Sequence, residues 1–121
     1  MEQKFTELTR YISANLKPLR RDLPEAMQAF SALAKNATKP GALDQKTKEL
    51  IALALGVAAH CDPCIAFHME ALIRLKATRL EIEEALAMAV YTGGGPSLMY
   101  AAEAMAAFEE FSAQPRVSEA Q

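Results

Sequence analysis

The fold class this chain predicts is all-α, a helical bundle of about six helices, and three observations carry that reading. Alanine supplies 24 of the 121 residues, against 14 for valine, isoleucine and threonine combined. Alanine is the best helix former, and the β-branched types that favour strands are scarce. Apolar residues recur at spacings of three and four in one segment after another, the period of a helix face. Helix starts and stops punctuate the chain in the right places: Asp44, Thr78 with Glu81, the run NATKPG and the run Gly93-Gly94-Gly95-Pro96.

Taken in order, the first helix runs from Phe5 to Leu16, with Phe5, Leu8, Ile12 and Leu16 on one face, and Pro18 is expected to end it. A second starts near Asp22, with Pro24 in its first turn and an apolar stripe of Leu23, Met27, Phe30 and Leu33. Asn36 to Gly41 is read as a loop. Asp44 is the N-cap of a third helix reaching Ala59. Its Leu50, Ile51, Leu53, Leu55 and Val57 cover the whole circumference. A helix apolar all round must be buried on all sides, and a domain this small has little room for that. Burial against another copy of the chain follows, so a homo-oligomer is expected. A fourth helix opens at Cys61-Asp62-Pro63 and reaches Leu75, with Ile65, Leu72, Ile73 and Leu75 as core candidates. The Thr78/Glu81 capping box starts a fifth, carrying Leu80, Ile82, Leu86 and Val90. After the glycine break a last helix spans Ser97 to Phe111. The tail from Ser112, which includes Pro115, is polar and expected to fray.

Composition narrows the function classes. Hydrophobic residues make up 51% and charged residues 23%, the balance of a globular domain. Lysine plus arginine is 13 and aspartate plus glutamate 15, a net charge of −2 with no basic cluster, so nucleic acid is not an expected partner. The longest apolar run, Leu50 to Ala59, is ten residues, about half of what spans a bilayer, and Met1 to Tyr11 has no signal-peptide character. A soluble cytoplasmic domain occupying residues 1–121 is expected, with no membrane partner.

The chemistry is concentrated in one place. The nine residues His60 to His68 hold both cysteines and both histidines of the chain. If Cys61 begins a helix, Cys61 and Cys64 share a face, with Cα atoms roughly 5–6 Å apart, within disulfide range. Both thiols then sit where unpaired backbone N–H groups and the helix dipole stabilise a thiolate. His68 lies one turn beyond Cys64 on the same face, placed to take its proton. The bland reading is two buried small hydrophobes and a satisfied histidine. The metal reading takes Cys61, Cys64, His68 and His60 as zinc ligands. A structural zinc site joins distant segments, and no second ligand pair exists outside this run. Thiol–disulfide chemistry is therefore favoured, with neither metal nor cofactor expected. His60 is read by default as a helix C-terminal cap or a dipole partner.

The stretch Lys46 to Ala54, then His60-Cys61-Asp62-Pro63-Cys64 and His68, resembles the core of the alkylhydroperoxidase D-like proteins of the carboxymuconolactone decarboxylase superfamily. A glutamate, a C-x-x-C beginning twelve residues later and a histidine four residues after the second cysteine carry the resemblance: Glu49, Cys61, Cys64 and His68. It covers about residues 43–108. It implies an all-helical fold assembled into trimers or hexamers. It also implies a thiol-dependent peroxidase or disulfide reductase, with a hydroperoxide or disulfide as substrate and a separate thiol reductant. By the resemblance, Cys64 attacks the peroxide, Cys61 resolves the sulfenic acid into a disulfide, and Glu49 and His68 relay protons.

By its residue pattern alone, Glu49 reads as a solvated glutamate early in a helix. If the third and fourth helices form an antiparallel hairpin, Glu49 and His68 differ in depth by roughly 5 Å, which side chains or one water can bridge. Pro63 stands where the founding peroxidase has a histidine, so one member of that relay is absent. The lactone decarboxylases proper lack the cysteine pair, which argues against decarboxylation. Two other functions stay open: a non-catalytic or metal-binding oligomeric helical protein, and a decarboxylase-like enzyme acting on a small lactone.

Overall fold

Six α-helices follow one another along residues 3–114, the part of the chain that the computed structural model describes. They are α1 Lys4–Asp22, α2 Pro24–Thr38, α3 Gln45–Ala58, α4 Asp62–Arg74, α5 Arg79–Gly93 and α6 Gly95–Ala113. Ser112 and Ala113 close α6, so the fray expected from Ser112 is corrected for these two residues; the rest of that expectation, residues 115–121, lies outside the described part.

The core is built on α4. Ile65, Ala66, Met69 and Leu72 are fully buried, and each large apolar side chain so buried is worth about 1.5–3 kcal/mol. Around it pack α3, α6 and the first half of α1, and α5 closes the bundle against α3 and α6. Leu53 and Val57 of α3, Ile82 and Leu86 of α5, and Ala104 and Ala107 of α6 complete the core. The alanines let α6 approach its neighbours closely. Leu75 is only half-buried, so this core candidate is corrected, and Leu80 of α5 is 62% exposed. Leu80 is the second residue of α5, and its direction there is outward.

The helix starts follow the residues. Asp44 accepts the Thr47 amide at 2.7 Å, capping α3. In the capping box of α5, Thr78 Oγ1 accepts the Glu81 amide at 3.1 Å and Glu81 accepts the Thr78 amide at 2.8 Å. α5 ends at Gly94, whose φ of 72° is a left-handed conformation that glycine adopts without steric cost. α6 then starts at Gly95 rather than Ser97, because a proline in the first turn loses no helical hydrogen bond.

Pro18 does not end the first helix, which continues to Asp22. A proline inside a helix removes one N–H and crowds the carbonyl four residues back. Here Ala14 and Pro18 are both exposed, so water takes up the freed carbonyl. Likewise α2 runs through Asn36 and Thr38, whose side chains bond back to the Ala32 and Ala34 carbonyls, and the loop begins only at Lys39. The expected stripe on α2 is not buried. No residue of α2 is buried, and Phe30 and Leu33 are 68% and 64% exposed. On α3, Ile51 and Leu55 also face outward, at 46% and 64%. One copy of the chain therefore covers one side of α3 and leaves α2 without a cover.

Candidate active site

The site forms where α3 hands over to α4. His60 has φ of 57°, the left-handed conformation, which costs a non-glycine residue about 1 kcal/mol. Its amide bonds the Val57 carbonyl at 3.1 Å, and the Cys61 amide bonds the Gly56 carbonyl at 3.0 Å. This double bond pattern is a Schellman cap, so His60 does close the C-terminus of α3 as expected. Its ring stacks on Tyr100 of α6, with centroids 4.6 Å apart and planes 2° from parallel. The cap turns the chain sharply enough to start α4 two residues later. Gly56 makes the turn fit: a Cβ there would lie 3.2 Å from Cys64 Cβ and 3.6 Å from the Ile65 amide nitrogen.

Cys61 is the N-cap of α4, and its Sγ accepts the Cys64 amide at 3.2 Å. Cys61 and Cys64 are joined by a disulfide, with Cα atoms 5.2 Å apart, inside the range expected for i and i+3 in a first turn. Both are partly exposed, so a reductant can reach them. A thiolate released by reduction would face the positive end of α4. Pro63 sits in the first turn of the helix, where its missing N–H has no consequence. Between the cysteines in sequence, Asp62 is the first residue of α4, and its Oδ1 is buried without a hydrogen-bond partner among the described residues.

Glu49 is not a solvated glutamate. It is 8% exposed, and its Oε1 lies 2.7 Å from His68 Nδ1. The offset expected between the two arms is closed by direct contact, with no water needed. When Glu49 is a carboxylate, it can only accept, so the imidazole donates from Nδ1 and leaves Nε2 as its basic nitrogen. His68 itself is half-buried, one turn below Cys64 on α4. Cys61, Cys64 and His68, marked by spacing, and Glu49, marked by the resemblance, thus meet at one junction, contributed by two antiparallel helices.

Three features escaped the sequence, two of them at the junction. The Tyr100 stack joins residues forty apart in the chain, and nothing local marks it. The orphaned Asp62 oxygen depends on packing. So does Glu110 of α6, buried at the far end of the bundle. It accepts the Phe5 amide at 3.1 Å and the Thr6 amide and hydroxyl at 2.7 Å each, capping α1 from another helix. Among the described residues, no group of three or more histidines, cysteines or carboxylates is placed to hold a metal ion.

The family model for the carboxymuconolactone decarboxylase family matches residues 24–107. A crystal structure of a family member from Legionella pneumophila is 59% identical, with a TM-score of 0.90, covering 92% of this chain and 99% of that one. A member from Thermotoga maritima, for which a role in the antioxidative response has been suggested, is 31% identical with a TM-score of 0.73, covering 89% of each chain. A protein of Cupriavidus necator is 41% identical over 113 residues, 93% of this chain and 96% of its own. The six-helix fold, the α3–α4 junction and these similarities together place the chain in the carboxymuconolactone decarboxylase family, alkylhydroperoxidase D-like in kind.

Proposed function

We propose that this protein is a thiol-dependent peroxidase or disulfide reductase working through Cys61 and Cys64. The observation that carries the proposal is a cysteine pair already within bonding distance at a helix N-terminus, with a buried Glu49–His68 pair one turn below it. As a peroxidase, Cys64 as thiolate attacks the terminal peroxide oxygen. The O–O bond breaks, an alcohol leaves with a proton, and Cys64 becomes a sulfenic acid. The Cys61 thiol then attacks that sulfur, a disulfide forms, and water departs. His68 takes the Cys64 proton first, and Glu49 holds the resulting imidazolium. An external dithiol restores the pair by exchange. As a disulfide reductase the same pair gives its two electrons to a disulfide substrate. With Pro63 in place of a further relay histidine, the Glu49–His68 pair carries the proton traffic alone.

The test begins with reduced protein, one equivalent of tert-butyl hydroperoxide, and intact mass after alkylation under denaturing conditions. Loss of two alkylatable thiols without cross-linked dimers is the expected result. Cys64→Ser should not react, and Cys61→Ser should stop at sulfenic acid or over-oxidise. Two thiols that stay alkylatable after oxidant overturn the proposal.

The protein also acts, in this reading, as a homo-oligomer, a trimer or a hexamer. The exposed Phe30 and Leu33 of α2 and Ile51 and Leu55 of α3 support it, since a stable monomer gains nothing from presenting them to water. Light scattering at micromolar concentration tests it, and a well-folded 13 kDa monomer would refute it.

A further inference from the structure

We propose that Asp62 is a redox-linked hydrogen-bond acceptor that favours the reduced, dithiol form of the pair. The inference rests on the reading of Cys61 and Cys64 as redox-active and adds to it a residue outside the Cys–Glu–His set. Its basis is an asymmetry between the two oxidation states. With the sulfurs joined, Asp62 Oδ1 is buried and accepts nothing. A buried acceptor without a donor is unfavourable, and a carboxylate oxygen more so. The residue lies between the two cysteines in the same first turn of α4. Reduction alters the donor count of this turn in one way: each sulfur gains an S–H. With the disulfide formed, neighbouring groups are already engaged. The Cys64 amide already donates to Cys61 Sγ, the Cys61 amide to the Gly56 carbonyl, and the His60 ring stacks on Tyr100.

The step balances simply. Two glutathione molecules plus the Cys61–Cys64 disulfide give two protein thiols and one glutathione disulfide. Two electrons and two protons pass to the protein sulfurs. Asp62 accepts a hydrogen bond from one S–H. The oxidised form holds an unmet acceptor and the reduced form meets it, so the carboxylate biases the equilibrium toward dithiol and makes the disulfide a better oxidant. Asp62 is a positioning residue in this account; it orients and holds a thiol and touches no substrate.

The experiment is equilibration of wild type, Asp62→Ala and Asp62→Asn in glutathione redox buffers at pH 7, followed by acid quench, alkylation and mass measurement. Asp62→Ala should shift the equilibrium toward disulfide on the order of tenfold, about 30 mV more reducing. Asp62→Asn keeps an uncharged acceptor and should shift it less. Melting of both oxidation states is the second readout. Asp62→Ala should lower the reduced form's melting temperature more than the oxidised form's. Asp44→Ala, which removes the cap of α3, should lower both alike and leave the midpoint in place. Unchanged midpoints in both Asp62 variants, or equal destabilisation of the two oxidation states, overturn this inference and leave the redox function standing. A wild-type pair that never exchanges with glutathione overturns both.

Discussion

If Glu49 acts only through His68, then removing both must cost no more than removing His68. The structure sets the sizes. Among the described residues Glu49 has a single side-chain partner, at 2.7 Å, and its side chain is 10% exposed. A hydrogen bond with an ionised partner is worth about 1.5–3 kcal/mol, against about 0.5–1.5 for a neutral one. Glu49→Gln keeps the shape and the bond and loses the charge, so it should give up about 1.4 kcal/mol of support for the imidazolium, a tenfold slower thiol reaction. His68→Ala removes the proton acceptor itself, and general base catalysis is worth about a hundredfold or more. The double variant should then be about a hundredfold slow, not a thousandfold, leaving a coupling of about tenfold. The assay is stopped-flow consumption of tert-butyl hydroperoxide by pre-reduced protein. Because His68→Ala strands a buried carboxylate, the series is run well below each melting temperature. His68→Asn, which keeps a donor near the Nδ1 position, serves as the second variant. Losses that multiply would show Glu49 acting on the thiols directly. A full rate in Glu49→Gln would show that it is structural.

Other consequences can be measured on the same protein. Glu110→Ala strips three hydrogen bonds from the start of α1 and should cost about 3 kcal/mol, lowering the melting temperature by about 10 °C, with thiol chemistry unaffected below it. Glu110→Gln should cost less, since it keeps one acceptor. Acid should also destabilise the fold. The Thr47 amide holds the Asp44 carboxyl below its usual range, and the Lys46 ammonium and the Thr78 amide do so for Glu81. Carboxyls depressed in the folded state contribute fully above their unfolded values, and that contribution fades as pH falls through the folded ones. Urea midpoints should thus decline from about pH 4.5 downward. Asp44→Asn combined with Glu81→Gln should flatten that decline.

What was legible in the sequence was what short-range rules govern. Asp44 and Thr78 with Glu81 mark helix starts because a cap depends on residues three apart. The Cys61, Cys64 and His68 spacing put those three on one face of one helix because residues three and four apart are neighbours there, whereas Glu49 was marked by the family resemblance alone. The misreadings share a different cause. Pro18 as a stop assumed that a missing amide bond must end a helix, whereas on an exposed arm water substitutes for it. The stripe on α2 was identified by its period, yet periodicity says only that a face is apolar, not that this copy of the chain covers it. Glu49 looked solvated because a charged residue beside Lys48 gives no hint of a histidine nineteen positions away. Glu110 was unreadable for the same reason at greater range.

That range has a consequence for how the molecule comes into being. The amides that open α1 belong to residues 5 and 6, and the carboxylate that receives them is residue 110, at separations of 105 and 104. During synthesis the first helix leaves the ribosome early and waits, its opening amides met only by water, until almost the whole chain has followed. Contacts this distant in sequence form late, after the helices between them have packed. A clasp made late belongs to the far side of the folding barrier. Loosening it should leave the rate of folding nearly untouched and quicken unfolding. The bond between first and last helix then sets chiefly how long the finished molecule survives, and the interior α3–α4 hairpin, which carries the cysteines, can be assembled before it closes.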